Sequence, residues 1–295
     1  MRIIEPVEIT PAILTSSNVP ETDHPAWSNT TAYAVGDRVI YERRIYEALV
    51  THTGIAPTAA SDPPKWLDLG AVNRWRMFDD RVSSLTERAG NIAVTLAPGA
   101  VINSLALFNL RGRTATVVMT DPLEGEVYRR EISLIDAGVE NWYQWFFSSI
   151  GRKSDVVVLD LPAYGTATLS ITIDNASDVA ACGHVVTGRQ AELGVALYGT
   201  GVGITDYSRK EIDAFGNTMV VERSFSKRAE FDVILDTPKI GGIQRTLAAI
   251  RAKPVVWLGA ESYEATALFG YYRDFSISIS GPNKSDATIT VEGLT

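Results

Sequence analysis

Apolar and polar residues alternate with a period of two along much of this chain. Ile92, Val94 and Leu96 alternate with Ala93 and Thr95, and Leu169, Ile171 and Ile173 alternate with Thr168, Ser170 and Thr172. The same rhythm returns at Phe231, Val233 and Leu235, at Phe275, Ile277 and Ile279, and at Ile289 and Val291. A strand turns successive side chains to opposite faces, so this spacing predicts half-buried antiparallel strands. Positions 156–159 are continuously apolar, as for a strand buried on both faces. Gly281-Pro282-Asn283-Lys284 predicts a turn joining the last two strands.

One stretch has a convincing helical period. Ile240, Ile243, Leu247 and Ile250 follow one another at spacings of three, four and three, which places them on one face. Thr237 is a candidate N-cap, Pro238 suits the first helical position, Arg251 and Lys253 suit the C-terminus, and Pro254 stops the helix. The predicted helix is 238–253. The aromatics of 139–147 suit either a short helical turn or a strand.

These elements predict a mainly β protein: a small aromatic three-stranded module, then two antiparallel β-sandwich domains, the last with one flanking α-helix. Residues 1–23 read as an extended arm, because Pro6, Pro11 and Pro20 disfavour helix. Ile3, Ile4, Val7, Ile9, Ile13 and Leu14 make the arm too apolar to float free, so it is expected to lie on another domain or another subunit. The module occupies 24–70, a jelly-roll-like sandwich 71–175, and the helix-bearing sandwich 176–295.

The chain has 295 residues, a net charge of −8 and one cysteine, Cys182. A single cysteine closes no internal disulfide and reads as a small buried apolar residue. An acidic chain without clustered Lys and Arg is a poor partner for nucleic acid. The longest apolar runs fall far short of the ~20 residues that span a bilayer. Positions 1–6 hold no sustained apolar stretch, so synthesis in a cytoplasm without an export signal is expected.

Chemistry-bearing patterns are sparse. The alternating glycines of Gly199-Thr200-Gly201-Val202-Gly203 lack the strand and helix that a dinucleotide fingerprint needs, and read as a flexible loop. His24, His52 and His184 have no metal-ligand spacing, and His52 reads as a surface polar residue. Cys182 and His184 sit two apart without the third group that a nucleophile–base pair requires. Glu261, Glu264, Asp206 and Asp213 are candidates for carboxylate chemistry only as members of a large acidic set, and read as solvated charge. No catalytic residue, metal or cofactor is expected.

The most specific signal is aromatic. Trp27, Tyr33-Ala34-Val35-Gly36-Asp37-Arg38-Val39-Ile40-Tyr41, Tyr46-Glu47-Ala48 and Trp66 fall in one 45-residue stretch. Gly36 frees a tight turn, and Val39, Tyr41, Ile45 and Tyr46 supply a hairpin with Arg43-Arg44 at its tip. This stretch resembles the small chitin-binding-type carbohydrate-binding modules of chitinases and cellulases. The resemblance implies sugar contact among Trp27, Tyr33, Tyr41, Tyr46 and Trp66, with Trp27 and Trp66 mostly framework positions and the three tyrosines split between core and surface. Where such modules commonly carry their stacking pair, positions 49–54 here hold no Trp, Tyr or Phe. Glycan contact and a structural or protein-docking role both remain open.

The wider chain resembles conserved tail proteins of siphophages and prophages. The likeness lies in Asn73-Arg74-Trp75-Arg76-Met77-Phe78-Asp79, Met119-Thr120-Asp121-Pro122, Gly203-Ile204-Thr205-Asp206-Tyr207-Ser208-Arg209-Lys210 and Val291-Glu292-Gly293-Leu294-Thr295. It implies a virion component at the tail tip or baseplate, made in the host cytoplasm. Implied partners are the tail tube, hub and fibres, a host-surface glycan, and further copies in a ring. The alternatives are an extracellular accessory carbohydrate-binding protein and, third, a glycan-degrading enzyme.

Overall fold

The computed structural model describes residues 1–136, 142–147, 151–212, 215–260 and 263–294. The protein is mainly β, built from several antiparallel sheets. The largest has ten strands and curls into a half-barrel. Its order is Val156–Val158, Ser104–Phe108, His184–Glu192, Arg2–Pro6, Val255–Leu258, Ala267–Ser278, Lys284–Gly293 and Phe225–Asp236, with Val195–Ala196 and Gly201–Asp206 both pairing the last of these. A five-stranded sheet runs Gly125–Ser133, Thr114–Asp121, Thr168–Cys182, Thr86–Leu96 and Leu14–Ser17.

The two sheets enclose one core. Ile92, Val94, Val117, Leu169 and Ile171 of the smaller sheet meet Leu105, Leu107, Val156 and Val158 of the larger. The period-two pattern produces this, since every second residue of those strands faces inward. A second core lies further along the large sheet. There Phe231, Val233, Trp257, Leu268 and Ile289 bury Ile243, Leu247 and Ile250 beside the helix. Strand Thr168–Cys182 continues past position 175 through a bulge between Asp174 and Val179, and the large sheet draws strands from both sides of that point.

The arm is a strand of this chain's own largest sheet. Arg2–Pro6 inserts between His184–Glu192 and Val255–Leu258, antiparallel to both. Ile3 joins the helix-side core while Ile4 joins a separate cluster with Phe108, Val186, Val256 and Phe269. Val7, Ile9, Ile13 and Leu14 then cover the first core, and Leu14–Ser17 closes the edge of the five-stranded sheet. The arm crosses the large sheet where Pro6 pairs with Gly188; any Cβ on Gly188 would lie 1.8 Å from the Glu5 carbonyl oxygen.

The helix is shorter than its pattern predicts. A 3₁₀ turn covers Thr237–Lys239, and the α-helix runs Ile240–Ala249. Thr237 does not cap it: its hydroxyl donates to the Gly281 carbonyl at 2.8 Å and lies 2.7 Å from the Ser285 hydroxyl. That bond ties the helix start to the turn between the last two strands, a competition the local sequence does not reveal. At the other end the Arg251 guanidinium donates to the Ala248 carbonyl at 3.2 Å, as a basic C-terminal residue should. Ala252 takes a left-handed φ of 58° that ends the run. The aromatic segment forms a short helix, Trp142–Phe147; positions 139–141 lie outside the described residues.

Candidate functional site

The aromatic module is a three-stranded sheet, Arg38–Tyr41, Arg44–Ala48 and Trp66–Ala71, with a two-stranded pair Ala32–Tyr33 and His52–Thr53 beside it. Gly36 takes φ 91°, and the Asp37 carboxylate accepts the Ala34 amide at 2.7 Å, so the Gly-Asp pair forms one tight turn. The hairpin reverses at Glu42 and Arg43, both at positive φ. Two left-handed residues in succession match the right-handed twist of the flanking strands. The tip thus falls one residue before the predicted Arg43-Arg44, and Arg44 is already in the second strand.

The five candidate aromatics divide by burial. Tyr33, Tyr46 and Trp66 are buried with Val39 and Ala48, and hold the module together. The Tyr33 hydroxyl accepts the Ser28 amide at 2.7 Å and donates to the Ser28 carbonyl at 3.1 Å. The Trp66 indole donates to the Ile55 carbonyl at 3.0 Å, and its ring meets Tyr33 edge-on at 5.2 Å. Trp27 and Tyr41 are half-buried and meet edge to face at 5.4 Å. They are the two of the five that are not fully buried, and the Trp27 indole nitrogen is enclosed without a hydrogen-bond partner.

His52 is not a surface residue. Its ring lies 4.7 Å from Trp66 and 5.9 Å from Tyr33, and both ring nitrogens are enclosed without a hydrogen-bond partner. Strand pairing explains the placement, since His52 sits directly opposite Tyr33. The sequence carries only a faint sign of this, the isolated Thr51-His52-Thr53 between two loops.

The module's outer surface is mixed. Leu49, Leu67 and Leu69 are exposed beside two cross-strand ion pairs, Arg38–Glu47 and Arg44–Asp68, each at 2.8 Å. The bond to Asp68 raises the Arg44 pKa, and burial raises that of Tyr46. Of the two pairs, only Arg44–Asp68 lies on the sheet face of Tyr41, whose cross-strand partner is Arg44; an aromatic surface with a fixed polar group beside it suits a sugar, whose ring is apolar above and hydroxylated at its rim.

The two chain segments that link the module to the body are both anchored at the short helix that follows it. Strand Trp66–Ala71 leads almost directly into the short helix Asn73–Arg76, and the Val72 amide donates to the Arg43 carbonyl at 2.9 Å. The Arg43 guanidinium stands 4.9 Å over the Trp75 ring. The Trp75 indole donates to Glu21 at 2.7 Å, Arg74 pairs with the same carboxylate at 3.2 Å, and the Asn73 amide donates to Asp23 at 2.6 Å. The segment singled out at 73–79 is therefore the seam between module and body.

Family comparison agrees with this geometry. Residues 26–69 match carbohydrate-binding module family 5/12. The chain carries a carbohydrate-binding module near its N-terminus. No curated protein matches the chain. Among solved structures, a His mutant of the lectin-binding domain of lectinolysin complexed with Lewis b is 15% identical, covering 41% of this chain and 84% of that one at a TM-score of 0.29. Chitosan-binding module 1 of a chitosanase/glucanase from Paenibacillus sp. IK-5 is 9% identical, covering 38% and 81% at 0.26. Likeness at that level carries no functional inference.

Other candidates are dispersed. Cys182 is fully buried, which pushes its thiol up to about 12, and its sulfur faces the His184 backbone carbonyl at 4.0 Å rather than the ring. Burial pushes His184 down to about 4. Glu264 accepts the Ser154 and Asp155 amides at 3.2 and 3.0 Å, and Asp206 lies 3.7 Å from Lys210. Asp213 and Glu261 lie outside the described residues. Among the described residues no His, Cys, Asp and Glu cluster could hold a metal, and no helix is long and apolar enough to cross a membrane. The glycine stretch is not a loop throughout: Gly201–Asp206 is a strand paired with Phe225–Glu230.

Proposed function

We propose that this protein is a structural component of a phage tail tip or baseplate, and that its carbohydrate-binding module meets a glycan on the host surface. The observation that carries the glycan reading is the Trp27–Tyr41 pair, half-buried at 5.4 Å on a module fixed to a β body. The tail-tip part is supported by the sequence likeness of 73–79 and the other motifs to tail proteins. Both links of the module to the body are anchored, the exit by Arg43 over Trp75 and the entry by Glu21 on Arg74 and Trp75, which suits a particle that approaches a surface from one direction.

Binding of the full chain to insoluble chitin and to a glycan array tests the module. Trp27→Ala and Tyr41→Ala are expected to weaken binding about tenfold or more, about 1.4 kcal/mol, without loss of fold. Absence of binding to every glycan by the wild type overturns the glycan reading. It leaves the second reading, favoured by exposed Leu49, Leu67 and Leu69, in which the module docks a tail fibre.

A further inference from the structure

We infer that the β body carries a sugar site of its own, a cleft between the two sheets that takes a short, uncharged oligosaccharide. The ligand class extends the glycan reading of the module, but the residues and the test are separate from it. The cleft opens where each sheet presents its outermost strand, Gly125–Ser133 on one side and Val156–Val158 on the other. Arg130 comes from the first, Val157 from the second, and Tyr263 and Glu264 from the start of the 3₁₀ turn Glu264–Thr266. Its volume of about 630 Å³ is in the size range of sites that enclose a drug-sized ligand, larger than a single sugar ring.

The polar lining is fixed in advance. Asp160 is held through Oδ1, which accepts the Tyr128 hydroxyl at 2.9 Å and the Arg130 guanidinium at 3.1 Å. Glu264 is held through Oε1, which accepts the Ser154 and Asp155 amides at 3.2 and 3.0 Å. The second oxygen of each carboxylate makes no hydrogen bond among the described residues. Two carboxylates pinned by one oxygen and open at the other are acceptors set in place before a ligand arrives, so a hydroxyl donor meets them with little further ordering cost. Arg130 and Lys153 line the same space as donors. Tyr263, 57% exposed, adds an aromatic ring, and Val157, Leu159 and Leu258 add aliphatic surface.

The balance of charge selects the ligand. Arg2, Arg130 and Lys153 line the cleft against Asp155, Asp160 and Glu264, so the two signs cancel. Asp155 is already satisfied by Lys227 and by the Asn109 amide. An anionic polymer would meet the open oxygens of Asp160 and Glu264 on a chain of net charge −8. An apolar segment of another protein would cover charged groups and return no hydrogen bonds to them, which is costly. An uncharged sugar answers both signs. Each hydroxyl donates to a carboxylate and accepts from Arg or Lys, while the C–H face of the ring lies on aromatic or aliphatic carbon. A chain with one sugar site on its module and another on its body holds a glycan-coated surface by two linked contacts, which together outlast either alone.

The full chain carrying Trp27→Ala and Tyr41→Ala silences the module and leaves the cleft to be read on an array of uncharged oligosaccharides. That chain is expected to keep binding to at least one of them. Adding Tyr263→Ala or Lys153→Ala, both at exposed positions, should weaken the remaining binding about tenfold or more with an unchanged melting temperature. No binding by the module-silenced chain overturns the inference, as does binding that both cleft variants leave intact, or binding confined to sulfated or phosphorylated glycans. The wild type measured alongside separates the two sites: glycans lost with Trp27 and Tyr41 report the module, and glycans lost with Tyr263 and Lys153 report the cleft.

Discussion

At the scale of single residues, similar aromatic letters do different work. Trp66 and Tyr33 are core residues, so Trp66→Ala should cost the module about 3–5 kcal/mol, as large aromatic deletions do, measured by urea unfolding. Tyr41→Ala, half-buried, should cost clearly less and act mainly on glycan binding. The sequence motif places Trp27 and Trp66 in the framework, where Trp66 is buried and Trp27 only half so, and it does not sort the tyrosines, because strand period alone does not say which face of a small sheet is covered. His52 was missed for a related reason: its burial comes from pairing with Tyr33 across a loop.

His184 gives a pH prediction at the same scale. It is enclosed against Phe269 at 4.3 Å, with the Asp80 carboxylate 3.8 Å away, and burial lowers its pKa from 6.5 to about 4. The unfolded chain therefore binds this proton first on acidification. Stability from the neutral ring is fully present above pH 6.5 and is lost as pH falls toward 4, on the order of 3 kcal/mol in total. His184→Gln should flatten that part of the curve of unfolding free energy against pH. An unchanged slope between pH 6.5 and 4 contradicts the assignment.

At the scale of elements, the strands with clean alternation were legible and the joins were not. Thr86–Leu96, Thr168–Cys182 and Phe225–Asp236 each contain the apolar triplet that marks them. Gly201–Asp206 was hidden by its glycines, which locally favour a loop; only its partner, two dozen residues on, makes it a strand. The arm was legible as extended and apolar, but its slot between strands from the far half of the chain was not. That slot makes a prediction. Gly188→Ala must push Glu5 and the arm away from strand His184–Glu192, because overpacking at 1.8 Å cannot be absorbed by backbone, and should destabilise the protein by about 3 kcal/mol or more in thermal or urea unfolding. Deleting residues 1–6 should leave two strand edges bare and promote aggregation, seen by light scattering.

At the scale of the whole molecule, a continuous half-barrel sheet ties the N-terminal arm, the middle strands and the helix-bearing region into one body, and the module meets that body through Arg43 at Val72 and Trp75. The chain's pattern announced strands and a helix in the right class, yet the sharing of one sheet across position 175 depends on long-range pairing that no local window contains. A carbohydrate-binding module thus stands beside a β body that we propose is part of a phage particle. Electron cryomicroscopy of the intact phage particle tests that most directly. The account predicts density for this chain at the tail tip, with the Trp27–Tyr41 face of each module turned outward. Absence of the chain from the particle, or that face packed inward against the tail, would contradict it.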